Sequence, residues 1–298
     1  MAGRNIPVNT LLSPKAPNLL LAPATYVSSY QEQLNNALRI YFNELDNVFG
    51  TLLNNSTGGA FIRLPCGAFQ DTTTQTAPAN TAQVMRFDTT DLSNGISLGS
   101  HTAVFTGSID DGTPPGAGTV LTVATITSGV IYLGMTLTGG AITAGTKVVS
   151  QTSGTAGGVG AYVVSVSQER TSLTITGTIQ SKLVAATSGI YNLQWSGQFV
   201  NEAAAIHEVS VWLRQNGTDV VGSTGEISIN AKHGAFDGGA IVSWNYLVSL
   251  NATDYVELWW STPDVNSYLI AHAAGTSPTR PTAASVIATL TFVSALTA

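Results

Sequence analysis

The sequence predicts a mainly β protein: a jelly-roll sandwich with an inserted small β-domain, preceded by an extended arm and one heptad-patterned α-helix. Three observations carry this. Short β-branched and aromatic runs fill most of the chain, with Gly, Asn, Asp or Pro between them. A helical period occurs once, near the N-terminus. A Gly/Thr-rich tract of different texture then interrupts the runs.

Residues 1–24 hold Pro7, Pro14, Pro17 and Pro23 with no regular period, the pattern of an arm that orders only by docking on a partner. Within 25–56, Leu34, Leu38, Tyr41, Leu45, Val48 and Leu52 follow spacings of 4, 3, 4, 3 and 4, a heptad seam. Phe42 and Phe49 widen the stripe by one step. Such a helix is marginal alone in water, so its apolar face needs either its own domain or copies of itself.

Residues 57–100 and 181–298 form the expected sandwich. Runs such as "GIYNLQWSGQFV", "HEVSVWLRQNGTDVV", "GAIVSWNYLVSL" and "ASVIATLTFVSA" have the length and composition of strands. "QNGTD" is a hairpin signal, because both central positions of a type I′ turn need positive φ. Residues 101–180 hold 14 of the 30 glycines, and "VLTVATI" and "AYVVSVS" alternate at the period of half-buried strands, so they are assigned to an inserted β-domain.

Composition narrows the functional classes. Only 9% of residues are charged, against about 25% in ordinary soluble domains, so hydroxyls and amides must solvate much of the surface. That profile fits an extracellular β protein or a particle component. The 11 Lys and Arg are scattered and the net charge is −6, which argues against nucleic acid as a partner. Neither a secretory signal nor a membrane insertion is expected, since no apolar run approaches about 18 residues. The sequons at Asn54, Asn55, Asn216 and Asn251 therefore carry little weight. The lone Cys66 is expected to be a small buried hydrophobe.

Candidate chemistry centres on "DYVELWWS". Alternation puts Val256, Leu258 and Trp260 on one face, for the core, and Tyr255, Glu257 and Trp259 on the other. The second face is an aromatic-flanked acid, expected at a surface, a subunit contact or a glycan contact. Asp254 precedes the strand at a turn position that favours bonds to backbone amides. A glycosidase would need two carboxyls about 5 to 10 Å apart, and Glu257, Asp264, Glu202 and Glu208 offer no motif that selects a pair. His101, His207, His233 and His272 lack metal-pair spacing, and no Ser/His/Asp set can be nominated. Neither a catalytic residue nor a metal or other cofactor is expected.

"GIYNLQWSGQF", "VWLRQNGTDV", "AIVSWNYLVSLNATDYVELWWS" and "SVIATLTFV", with "CGAFQDTTTQT" and "VMRFDTTDLSNGISLGS" upstream, resemble the trimeric jelly-roll head of tumour-necrosis-factor-like and complement-globular-head-like domains, in the version found in bacteriophage structural proteins. The usual pattern lacks the residues between "NGISLGS" and "KLVAATSGIYNLQWSGQF", which is why 101–180 is assigned as an insertion. The insert resembles a β-module of phage fibre and capsid-decorating proteins, and the arm and helix resemble virion attachment segments. The resemblance implies a homotrimeric, non-enzymatic fibre or capsid-decoration protein, made in the bacterial host cytoplasm and carried on the virion. Its partners would be its own copies, other virion proteins through residues 1–56, and a host-surface glycan or protein. It transfers no catalytic residue. Some members of the family bind calcium, but the only compact acidic candidate is Asp110–Asp111, more simply a turn cap. A carbohydrate-binding or capsule-degrading tail protein is the alternative.

Overall fold

The computed structural model describes residues 17–19, 23–53, 64–110 and 116–295, with helix side chains described through Phe49. Most of the expected arm, Asn54, Asn55, Thr57 and Asp111 lie outside the described residues. The chain divides into two compact units, one through Leu64 and the other from Pro65.

In the first unit a single helix spans Ser28–Leu53. Its interior is free of Pro, and its one Gly, Gly50, falls in the last turn. On its polar side Gln31 donates to Asn35 at 3.0 Å, and Arg39 to Asn36 at 2.8 Å. No described side chain of this helix is buried. Leu34, Leu38, Tyr41, Leu45 and Val48 are among the few half-shielded positions, while Phe42 and Phe49 are exposed. The side chain of Leu52 lies outside the described residues. Helix propensity alone leaves a segment of this length marginal, so the uncovered stripe is an unmet demand for packing.

The second unit is built from curled antiparallel sheets. One runs Gly238–Leu250, Gly189–Asn201, Val286–Ser294, Cys66–Asp71, Thr89–Asn94, with Ser267–Leu269 also paired to Gly189–Asn201. The other runs Thr218–Asp219, His207–Gln215, Tyr255–Ser261, Arg170–Ala185, Ile96–Asp110, Gly118–Ser128, Gly160–Gln168, Val148–Gly154. Gly225–Ile229 joins His207–Gln215, and Gln83–Val84 joins Tyr255–Ser261.

Period-2 alternation decides what these sheets bury. Tyr191, Leu193 and Trp195 from one sheet meet Val209, Val211, Leu213, Val256, Leu258 and Trp260 from the other in a continuous core. Each large side chain so buried contributes about 1.5–3 kcal/mol. The hairpin at Asn216–Gly217 forms as its dipeptide demands, with φ of 51° and 81° and Gln215 opposite Thr218.

A second, distinct apolar cluster includes Phe105, Leu121, Met135, Leu137, Tyr162 and Ile175, all between 103 and 179. The strands around it nearly return on themselves: Thr136–Thr138 pairs with Arg170–Ala185, and Thr136 also bridges to Lys147, next to Val148–Gly154. This small closed ladder is called the module below. It does not hang from a hinge. Ile96–Asp110 and Arg170–Ala185 run unbroken from the sandwich core, where they supply Ile96 and Leu183, into the module core, where they supply Phe105 and Ile175.

Two expectations are corrected. Cys66 is half-buried rather than buried, because it opens its strand at the sheet's end. The run "YLIAHAA", residues 268–274, has strand composition and is expected to be a strand throughout, but the strand is only Ser267–Leu269, after which the chain turns away into irregular structure.

Candidate functional site

The boundary between the two cores is marked by a β-bulge. Gly99 pairs with Lys182, but Ser100 pairs with Gln180, so Ser181 is the extra residue and has no partner in the ladder. A bulge reverses which residues of one strand face inward relative to its neighbour. On the bulged strand odd-numbered Leu183 faces the sandwich core on one side of the bulge and odd-numbered Ile179 and Ile175 face the module core on the other, while the neighbouring strand alternates without a break, Ile96 toward the sandwich and Phe105 toward the module. The bulge therefore re-aims Ser181 toward the face that His101 reaches by alternation, and both meet Glu257.

Glu257 Oε1 accepts a hydrogen bond from Ser181 Oγ at 2.9 Å and lies 2.5 Å from His101 Nε2. Two lone pairs cannot approach that closely, so a hydrogen lies between the imidazole nitrogen and the carboxyl oxygen. Glu257 Oε2 is buried with no hydrogen-bond partner. Aromatic rings close the site. His101 and Tyr132 lie with ring centroids 5.2 Å apart, and Tyr132 meets Trp259 at 5.5 Å and 80°. The Arg214 guanidinium stacks 3.7 Å above Trp259, held from behind by Asp219. Lys182 lies 4.6 Å above the Tyr255 ring. Burial, and then the charge of Glu257, raise the Tyr132 phenol above its ordinary pKa.

This corrects the expectation of an acid at a surface. Glu257 is 1% exposed and Trp259 3%, and only Tyr255 stays half-buried. The alternation is right, but the outward face is roofed by His101 and Tyr132, both from within 101–180. The other carboxylates proposed with Glu257 are engaged elsewhere. Glu202 accepts from Tyr268, whose phenol is pushed up to about 12 by burial and then by Glu202. Asp264 lies in a loop with Asn266, and Glu208 sits opposite Ser228. Asp254 does cap its turn, accepting from the Asn251 amide at 2.8 Å and from Asn216 at 2.8 Å.

Sequence reasoning missed one constellation. His207 Nδ1 lies 2.9 Å from Ser267 Oγ, and its Nε2 lies 3.8 Å from Asp264 Oδ2. The geometry is that of a loop lock. Ser267 is 0% exposed, and the carboxylate is beyond hydrogen-bond reach of the ring. "GISLG" at 95–99 also has nucleophile-elbow spacing, but Ser97 lies within an extended strand rather than a strand-to-helix turn. His233 and His272 sit in separate isolated bridges. Among the described residues there is no group of three or more His, Cys, Asp or Glu suited to a metal ion, and no helix long and apolar enough to cross a membrane.

Two clefts remain. One, of about 440 Å³, lies on the first sheet beside Gln194, Ser196, Asn245, Ile287 and Thr289, on a sheet that also exposes Ile241 (75%) and Leu247 (69%). The other, of about 390 Å³, lies between sandwich and module and is lined by polar side chains.

The sequence matches no protein-family model and no curated protein. Among solved structures it is similar to dimeric latent PorU from Porphyromonas gingivalis, at 8% identity and a TM-score of 0.23, over 78% of this chain. The chain spans only 24% of that protein, and a likeness this low carries no functional argument.

Proposed function

We propose that this chain is a non-enzymatic structural protein of a bacteriophage virion: a homotrimeric fibre or capsid-decoration protein whose residues 1–56 attach it to the particle. Its β-sandwich is a jelly roll that faces outward, toward a host-surface glycan or protein. The observation that carries the reading is the strand order. The first and last strands of the second unit, Cys66–Asp71 and Val286–Ser294, are neighbours in one sheet, and most connections from Arg170–Ala185 to Ser267–Leu269 cross between the two sheets, as in a jelly roll. The sequence resemblance supports the same fold.

Two uncovered apolar surfaces support self-association. One is the helix seam from Leu34 to Val48. The other is the first sheet, where Ile241, Leu247, Ile287 and Val293 are all exposed. The alternative, a capsule-degrading tail protein working through Glu257, is disfavoured by that residue's burial, which leaves no room for a glycosidic oxygen beside it.

Light scattering tests the reading on the full chain and on a chain starting at Thr57. A mass of about three times 30.8 kDa for both places the main contacts in the sandwich. A trimer lost on truncation assigns them to the helix, and a monomer in both cases rejects the threefold reading.

A further inference from the structure

The cleft between sandwich and module combines a flat hydroxyl-bearing floor with two cationic walls. Its floor is the outward side of the ladder: Thr178 and Gln180, Ser100 opposite Gln180, and Thr136 opposite Thr178. No hydroxyl of Ser100, Thr136 or Thr178 has a hydrogen-bond partner among the described residues.

One wall is Arg86, held rigidly from behind. Its Nε pairs with the fully buried Asp71 at 2.9 Å, and its Nη2 donates to Thr73 Oγ1 at 3.0 Å and to the Thr74 carbonyl at 2.5 Å. Only Nη1 is left over. It lies against Gly134, where φ is +87° and an added Cβ would come within 2.5 Å of Nη1. Any side chain there would displace the guanidinium and strain the backbone. The other wall is Lys147, exposed and opposite Thr136; its ammonium makes no hydrogen bond or close ion pair among the described residues, though its charge reaches Asp88.

The remaining charged group, Asp88, is largely engaged, taking hydrogen bonds from the Thr72 amide, the Thr72 hydroxyl and the Thr89 hydroxyl. Burial alone would raise its pKa, but these bonds and the nearby Lys147 charge outweigh that and lower it, so it is ionised at neutral pH.

The donor inventory selects the ligand. Spare donors, from Arg86 Nη1, Lys147 Nζ and the floor hydroxyls, outnumber the acceptor capacity left on Asp88, so an occupant bearing negative oxygen suits the cleft best. Asp71 and Asp88 balance Arg86 and Lys147, so the cleft does not attract a bare anion from a distance. The hydroxyl floor must add to the hold. At about 390 Å³ the cleft falls in the range of about 300–1,000 Å³ usual for small-molecule sites.

We infer that this cleft binds an acidic saccharide, with its carboxylate between Arg86 Nη1 and Lys147 Nζ and its hydroxyls on Ser100, Thr136, Thr178 and Gln180. The inference deepens the host-contact part of the function proposed above. It can fail separately, because the mass measurement tests assembly and the following titration tests the cleft.

Saturation-transfer NMR on the full chain compares D-galacturonic acid, D-galactose and acetate. Galacturonate is expected to receive saturation and to bind at least about tenfold more tightly than either fragment of its chemistry. Lys147→Ala should weaken it about tenfold while leaving the melting temperature unchanged, since Lys147 is exposed. A Ser100→Ala/Thr178→Val chain should weaken galacturonate but not acetate. Binding of galactose equal to that of galacturonate, galacturonate binding that survives Lys147→Ala, or no saturation of galacturonate at all would each overturn the inference.

Discussion

The sandwich and the module solve the same packing problem with different means. The sandwich buries Phe69, Phe87, Tyr191, Trp195, Phe199 and Trp260 between two sheets, so its core is dominated by large rings. The module wraps a mostly aliphatic cluster, with Phe105 and Tyr162 as its only fully buried rings among the described residues and Tyr132 packed at its edge. A unit confined to residues 103–179 has little apolar area of its own, and single cores of about 70–80 residues rarely supply more than about 3–5 kcal/mol. The module makes up the difference by borrowing two strands whose other halves are already fixed in the sandwich.

The largest expected effect is Trp260→Ala, which should remove about 3–5 kcal/mol and shift the unfolding of the whole second unit in urea. Leu137→Ala, in the module core, should cost about 2–5 kcal/mol. If the shared strands couple the cores, tryptophan fluorescence and module proteolysis will shift together. Separate transitions would mean the cores unfold independently. His101→Ala leaves the buried Glu257 with less than its present bonding and should cost about 1–3 kcal/mol, read from the same urea midpoints. The smallest effect concerns acid. Asp88 has a lowered folded-state pKa, so its contribution is present above the ordinary carboxylate value and is lost as pH falls through the lowered one. Asp88→Asn should lower the neutral-pH melting temperature slightly, and the gap from the parent chain should close at low pH.

Much of the sandwich was legible because its signals are local. Alternation placed Val256, Leu258 and Trp260 in the core, and Asn216–Gly217 announced its hairpin. The helix was legible from its period, and its seam residues from Leu34 to Val48 are half-shielded with no element packed on them among the described residues. The site was only half legible. Period 2 put Tyr255, Glu257 and Trp259 on a common face, but the roof over them comes from His101 and Tyr132, distant in sequence. Ser181 joins them only through a one-residue register slip that no local pattern encodes. The meeting of His207 with Ser267 and Asp264 was hidden for the same reason, since it depends on how a loop folds back across the sheet. The texture change at 101–180 located a second core but gave no hint that two strands pass through both.

That continuity has a mechanical consequence. A pull on the tip of the module runs along the covalent backbones of Ile96–Asp110 and Arg170–Ala185 directly into the middle of the larger sheet, where Leu183 and Val184 are bonded to Val256 and Tyr255. No flexible joint absorbs it. A load applied to the module would therefore reach the sandwich's central ladder in shear, with its hydrogen bonds resisting together rather than peeling apart one at a time.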